Sequence, residues 1–491
     1  METIKVRWSS ALDDDAFIVE ESATGQPMAR VRGAGAEQVD AAVRAAHRAQ
    51  RDWRQRTGAE RAGYLRQAAR LLSGKTEELA RLLSRENGKP MAAALRMDLV
   101  SLVSSFEFFA GLAERPTGEF MDYGNLYTAT VREPFGVVAA IIPFNWPPIH
   151  VGAKIAPALA AGNTVVLKPG EQAPLTAMRI VELLNEVLPP DVLHVLPGHG
   201  ATVGAALTTH PLIRKISFTG SPGVGALVQA AAAKKHVPVL LELGGKNPIV
   251  VMPDADLDKV AADCVEGAFF NKGEACTAAS RVLVHDSCAA ALAEKIAGIV
   301  GGIEVGDGLD ARTEVGPLVS RQQQRKVLAC IDQALAQGAR LIARGRLPED
   351  PRLRDGFFVA PTVLGGVTPA MDAFREEIFG PVLGLTTFFD ENEAIELAND
   401  TDFGLVAAVY SQNVTDALRI AREIEAGIVY INNYRRGMIG TPFGGTKASG
   451  YGREHCADTL KEYSYVKSLR IPSGRGDIPV WMGNKPGTPS S

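Results

Sequence analysis

The chain has 491 residues, of which 46% are hydrophobic, 22% charged and 6% aromatic, a balance that excludes a disordered or fibrous protein. Lys and Arg total 52 against 56 Asp and Glu, a formal net charge of −4, so neither nucleic acid nor an anionic membrane is an expected partner. At about 150 residues per domain, this length predicts roughly three domains or two large ones, with core enough to fold without staples.

The N-terminal residues 1–7 are not followed by an uninterrupted apolar run, so no secretory signal is read. The first third then carries helical periodicity. Val39, Val43, Ala46, Ala49 and Trp53 recur at three- and four-residue steps, followed by Leu65, Leu71 and Leu72, and then by Leu79, Leu82 and Leu83. Asn87-Gly88-Lys89-Pro90 is a stop signal, and a further helix is expected over 91–111. Their Ala-rich faces suit packing on a sheet.

From residue 126 the texture changes. Residues 126–133 alternate and are rich in Thr and Val, and short apolar runs then recur at 136–142, 164–167, 192–196, 215–218 and 239–243. Helical patterns at 175–187 and 224–234 lie between them. Apolar strands alternating with helices predict a parallel sheet covered on both faces. A second set of strands is expected at 248–252, 281–284, 359–363, 382–388 and 427–431, with helices over 257–270 and 289–300. The most apolar stretch, 151–167, is broken by Lys154, Gly162 and Asn163 and falls short of a membrane span. The Gly/Pro/Ser-rich tail from Gly474 is expected to fray. Two α/β units in one chain leave a cleft, where a cofactor-dependent enzyme commonly works.

Five cysteines, Cys264, Cys276, Cys288, Cys330 and Cys456, form no CxxC pair and have no His at ligand spacing. No disulfide framework and no metal site are expected, and a reducing cytoplasm is the predicted location. Cys276 stands apart because it lies in a loop of small residues after an amphipathic stretch. A nucleophilic thiol needs an open place near backbone N–H donors, with a depressed pKa.

Three other segments carry candidate chemistry. Phe218-Thr219-Gly220-Ser221-Pro222-Gly223-Val224-Gly225 joins a strand to a helix, and it suits either a tight turn or a phosphate cradle. Its spacing is neither the usual dinucleotide fingerprint nor a P-loop. Glu242 ends an apolar strand before Gly244-Gly245, the setting for a general base of raised pKa or for a carboxylate emerging into solvent. Pro143-Phe144-Asn145-Trp146-Pro147-Pro148 is a stiff loop able to fix the Asn145 amide, as an oxyanion hole requires.

Together with Lys168-Pro169-Gly170-Glu171, Glu377-Ile378-Phe379-Gly380-Pro381 and Pro442-Phe443-Gly444-Gly445-Thr446-Lys447 with Ser449-Gly450, these segments stand in the order of the aldehyde dehydrogenase superfamily. The chain resembles that family over roughly residues 20–470. The resemblance implies an α/β fold with a Rossmann-type cofactor domain, an α/β catalytic domain and a small β oligomerisation element. The implied NAD-binding domain covers 1–115 and 134–243, and the implied catalytic domain covers 244–445. The oligomerisation strands and tail would cover 116–133 and 446–491, and a homodimer or homotetramer follows by analogy.

For chemistry, the resemblance implies NAD-dependent oxidation of an aldehyde to its acid. Cys276 would form a thiohemiacetal and then a thioester, Asn145 would hold the oxyanion, and Glu242 would activate the hydrolytic water. The coenzyme-A-acylating branch generally lacks this Glu. Cofactor contacts would come from Ile142, Lys168, Glu171, Gly220, Ser221, Gly225, Leu243, Glu377 and Phe379. Glu171 favours NAD, with NADP a possible second cofactor, because a carboxylate repels a 2′-phosphate. Lys154 is a candidate either for proton handling or for a structural ion pair. Where some relatives have a second Glu before Val466-Lys467, this chain has Tyr465, so a relay at that position is in doubt.

Trp146, His150, Ala153 and Thr277 are the expected pocket residues. A bulky aromatic stands at the place of Ala153 in some relatives that prefer small aliphatic aldehydes, so an aromatic or medium-length aldehyde is expected here. The competing reading is a semialdehyde acid whose carboxylate is bound by Arg435 or Arg436. A catalytically retired, structural or binding homologue would have lost Cys276, Glu242 or Asn145, and all are present.

Overall fold

The computed structural model describes residues 16–115, 117–434 and 438–478. Its first sheet contains the parallel strands Val137–Ile141, Thr164–Lys168, Leu193–Val195, Ile213–Thr219 and Val239–Glu242. Numbered along the chain, these strands lie in the order 3-2-1-4-5, a doubly wound arrangement. The short strand Gly450–Tyr451 adds antiparallel to Val239–Glu242, so a C-terminal segment closes the edge beside Glu242.

Side-chain alternation assigns the two faces. Val138 and Ala140 join Trp53, Leu65, Leu72, Leu83 and Phe106 in one core, while Val137, Ala139 and Ile141 join Val39, Val43 and Ala46 in another. The N-terminal helices Ala36–Gln55, Gly58–Ser73 and Thr76–Asn87 thus cover the sheet. Thr57 and Glu60 form a capping box, with Glu60 N–H donating to Thr57 Oγ1 at 3.2 Å and Thr57 N–H donating to Glu60 Oε2 at 2.7 Å. The helix expected over 91–111 is instead Met91–Ala93, a wide π-turn at Ala94–Asp98 and Leu99–Ala113. At the end of the π-turn, Asp98 is buried and pairs with Lys89 Nζ at 2.5 Å.

The second sheet has the order Arg340–Arg344, Thr362–Gly365, Val382–Phe388, Ala279–His285, Asn247–Val251, Val406–Tyr410 and Ile428–Ile431. It is parallel except for its first strand. The strand expected at 359–363 begins only at Thr362, because Pro361 has no N–H to give the ladder. The hairpin Ala16–Glu21/Gln26–Arg32 and the strand Val406–Tyr410 lie outside the sequence expectation. The hairpin's charged residues mask its alternation, and Ala407-Ala408 gives a buried strand a helix-like composition. A third sheet pairs Leu126–Pro134 with Ser464–Pro472 and Phe120–Asp122, exposing Phe120, Val466, Leu469 and Ile471. Among the described residues no helix is long and apolar enough to cross a membrane.

Trp53 ties the helix Ala36–Gln55 to the helix Pro147–Ala160: it is 1% exposed and its indole N–H donates to Leu159 O at 3.2 Å. Trp53→Ala should cost about 3–5 kcal/mol through the cavity it leaves, read as a lower urea midpoint with an unchanged slope.

Candidate active site

The strand order reverses between Val137–Ile141 and Ile213–Thr219, so the loops leaving their carboxyl ends diverge and open a crevice. The neighbouring strand Val239–Glu242 ends at the same edge. Glu242 is 3% exposed, and neither carboxylate oxygen has a hydrogen-bond partner among the described residues. Burial raises its pKa well above the carboxylate range, and the Glu454 carboxylate adds to that, against the opposing charge of Lys154.

Glycines allow the close approaches around it. A Cβ on Gly244 would lie 2.3 Å from Glu377 Oε2, one on Gly245 2.5 Å from Cys276 O, and one on Gly444 2.8 Å from Glu242 Oε1. Gly245 N–H donates to Glu377 Oε1 at 3.0 Å, while burial pushes Glu377 up to about 7.

The Cys276 loop arrives from the helix Leu257–Phe269 through a left-handed turn, with φ of 46° at Asn271, 51° at Lys272 and 70° at Gly273. Left-handed backbone costs an ordinary L-residue roughly 1–2 kcal/mol, so this turn needs external support. Asn247 Nδ2 helps beyond it by donating to Cys276 O at 2.8 Å and Ala278 O at 2.9 Å. Cys276 is a half-buried free thiol. Its pKa is not depressed, contrary to the sequence expectation. Burial raises it, as do the Glu377 and Glu242 carboxylates, and together they outweigh the backbone N–H groups of Cys276 and Thr277.

Asn145 meets this loop from the other side. Pro147 and Pro148 begin the helix Pro147–Ala160, and Phe144 O accepts from Asn87 Nδ2 at 2.9 Å, which stiffens the approach. Asn145 Nδ2 donates to Glu274 O at 3.2 Å, and its Oδ1 faces His150 Nε2 at 3.4 Å. An amide nitrogen carries two hydrogens, so the second remains to be aimed at an oxygen beside Cys276. His150 is kept neutral, its pKa pushed well down by burial and by Lys154, His455 and Lys89.

At the other end of the crevice, Ile142 is buried and its N–H donates to Lys168 O at 3.0 Å. Lys168 Nζ donates to Pro169 O at 2.8 Å and to Glu171 Oε2 at 3.1 Å, placing an ammonium and a carboxylate together at a strand end. Gly220 N–H donates to Glu242 O at 3.1 Å. Ser221 starts the helix Pro222–Ala233 without a side-chain cap bond, and the buried Thr219 Oγ1 has no partner among the described residues. A helix N-terminus with spare hydroxyls fits the phosphates of a dinucleotide. Gly225 admits Leu243 closely, since a Cβ there would stand 2.8 Å from Leu243 Cδ2. Phe379 adopts φ 57°, sets its ring 5.9 Å from that of Phe144, and accepts from Gln323 Nε2 at 2.8 Å through its carbonyl.

Of the expected pocket residues, Trp146 packs with Ala275, Ala278, Met97, Ile149 and Phe270, and Lys89 Nζ sits 3.4 Å from its ring centroid. Thr277 is half-buried, its carbonyl accepting from Tyr434 Oη at 2.9 Å, while Ala153 is fully buried. Arg435 and Arg436 lie outside the described residues. Tyr465 is an exposed residue of the three-stranded sheet, with its ring 5.8 Å from that of Phe135.

Sequence reasoning missed Glu454. It is 1% exposed, neighbours Glu242, and pairs with Lys154 at 2.7 Å; Lys154 Nζ also donates to Ser217 Oγ at 3.1 Å, which accepts from Tyr463 Oη at 3.0 Å. The ion-pair alternative for Lys154 is therefore present, and it sits beside the candidate base. Nothing in Gly452-Arg453-Glu454-His455 signals it, because its burial is set by distant parts of the fold. Lys154→Met should destabilise the protein by about 3–5 kcal/mol by leaving Glu454 buried and unpaired. Lys154→Met/Glu454→Gln should recover much of that loss in thermal denaturation.

Residues 8–469 match the model of the aldehyde dehydrogenase family. The chain is 48% identical over 477 residues to aldehyde dehydrogenase citD of Monascus ruber, covering 97% of this chain and 95% of that protein. It is 45% identical over 446 residues to the peroxisomal aminoaldehyde dehydrogenase 1 of Pisum sativum, covering 88% of each. A crystal structure of betaine aldehyde dehydrogenase from Staphylococcus aureus in complex with NAD+ superposes with a TM-score of 0.93 at 34% identity, covering 97% of this chain and 95% of that one.

Proposed function

This chain belongs to the aldehyde dehydrogenase family, and from that premise we propose that it oxidises an aldehyde to the free carboxylic acid with NAD. Aromatic or medium-length aldehydes are its favoured substrates. The observation that carries this reading is Glu242, a buried carboxylate without a hydrogen-bond partner among the described residues, on a strand that runs into Gly244-Gly245, where a Cβ on Gly245 would stand 2.5 Å from Cys276 O.

Cys276 Sγ, once deprotonated, attacks the aldehyde carbon to give a thiohemiacetal. The second N–H of Asn145 Nδ2 and the Cys276 backbone N–H hold the resulting oxyanion. NAD supplies the hydride acceptor when bound, held by Lys168 and Glu171, by the Thr219–Ser221 turn and its helix, and by Leu243, Glu377 and Phe379. Loss of the hydride leaves Cys276 as a thioester. Glu242 then takes a proton from water, whose oxygen attacks the thioester carbon and releases acid and thiol. The Lys154 ammonium, paired with Glu454, favours the ionised form of Glu242 that this step needs.

Because the Glu242 pKa is raised, its base form grows as pH climbs above the ordinary carboxylate range. Thioester hydrolysis should therefore accelerate with pH and then level off when Glu242 is fully ionised, as pH-jump single turnovers would show.

The Glu171 carboxylate, paired with Lys168, favours NAD over NADP through repulsion of a 2′-phosphate. Exposed apolar residues on the three-stranded sheet support a homodimer or homotetramer, and five free thiols support a cytoplasmic location. A panel of aromatic, aliphatic and carboxylated aldehydes with NAD+ or NADP+, read by nucleotide absorbance, tests the reading. Aromatic and medium-length aldehydes should be oxidised without coenzyme A, and Asn145→Ala should lower kcat about a hundred- to a thousandfold. Activity confined to semialdehyde acids, or a requirement for coenzyme A, would contradict it.

A further inference from the structure

Below the nucleophile lies a cluster of charge with no direct part in the steps above. Lys272 and Glu274, four and two positions before Cys276, are both fully buried and form an ion pair at 3.3 Å. Lys272 Nζ also donates to Asn87 O at 2.7 Å and to Asn87 Oδ1 at 2.5 Å. Glu274 Oε1 accepts from Val319 N–H at 3.1 Å. The pair therefore ties the loop to the end of the helix Thr76–Asn87 on one side and to the segment before Arg321–Ala336 on the other.

The loop so tied holds Asn145 at two points. Glu274 O accepts from Asn145 Nδ2 at 3.2 Å and from Asn271 Nδ2 at 2.8 Å, and Asn271 Nδ2 also reaches Asn145 O at 3.1 Å. A second buried pair, Lys89–Asp98 at 2.5 Å, lies alongside, with Lys89 Nζ 3.4 Å from Asn145 O.

A turn containing two left-handed non-glycine residues persists only where its surroundings hold it there. A buried ion pair adds little stability over apolar side chains of similar volume, so stability alone does not account for Lys272 and Glu274. We propose that the Lys272–Glu274 pair is a positioning unit for the Asn145 amide. It fixes the left-handed turn, and the Glu274 carbonyl at the end of that turn takes one amide hydrogen and aims the other at the oxygen developing beside Cys276. The amide is planar, so fixing one N–H fixes the other. This inference rests on the oxyanion role given to Asn145 above.

The test combines Lys272→Met, Glu274→Gln and the double substitution with wild-type Asn145 and with Asn145→Ala, following kcat, KM, melting temperature and the alkylation rate of Cys276 by iodoacetamide. Lys272→Met should lower kcat about ten- to a hundredfold, with KM and alkylation nearly unchanged, and should have little further effect once Asn145 is Ala. The double substitution leaves no unpaired buried charge, so it should recover melting temperature while kcat stays low, and it serves if a single variant does not fold. Recovery of kcat together with melting temperature would overturn the proposal in favour of a purely structural pair. So would equal losses from Lys272→Met in both Asn145 backgrounds. A negligible effect of Asn145→Ala alone would instead overturn the oxyanion reading, and this one with it.

Discussion

Glu242 sits at the end of a strand from which water is largely excluded, and the charged neighbour weighing most on it is another carboxylate, Glu454. A carboxylate without a hydrogen bond is costly to bury. The cost is tolerable because the group can stay protonated, and because the Lys154 ammonium balances Glu454 at 2.7 Å. That balance sets much of the crevice. The Gly444 backbone must pass without a Cβ, Gly450–Tyr451 must close the sheet edge beside Glu242, and Ser217, which also accepts from Tyr463 Oη, must satisfy the far side of the cation.

The doubly wound sheet supplies the rest of the frame. Its order reverses beside Val137–Ile141, so one crevice receives the stiff Asn145 loop, the Ser221 helix start and the Glu242 strand end. The Cys276 loop leads into the second sheet, whose Asn247 side chain clamps the Cys276 and Ala278 carbonyls. The proposed chemistry thus depends on an interface between separate packed cores. Asn145 Nδ2 donates across it to Glu274 O and Asn271 Nδ2 donates back to Asn145 O, bonds that favour a single arrangement of the two loops.

Much of this was legible in the sequence because the responsible patterns are local. Short continuous apolar runs alternating with helical patterns mark the parallel strands, and glycine pairs and prolines mark the places where backbone must come close or stay stiff. The Ala16–Glu21/Gln26–Arg32 hairpin and the π-turn at Ala94–Asp98 were not legible, since tertiary contacts rather than local propensity stabilise them. The same holds in the site. Glu242, Asn145 and Cys276 stand in distinctive segments, whereas Glu454 and the Lys272–Glu274 pair become conspicuous only once burial is known. The thiol pKa departs from the sequence expectation for a related reason. Loop composition suggests openness, but burial raises the thiol pKa, and two acidic groups distant in sequence, Glu377 and Glu242, add to it.

The central claim is that Glu242 serves the breakdown of an acyl group carried on Cys276. Intact-mass spectrometry of Glu242→Gln, quenched during turnover of an aldehyde with NAD+, addresses it most directly. The account predicts accumulation of one acyl adduct per chain, absent when Cys276 is replaced by Ser. Turnover at the wild-type rate with no adduct, or an adduct that persists after Cys276 is replaced, would contradict it.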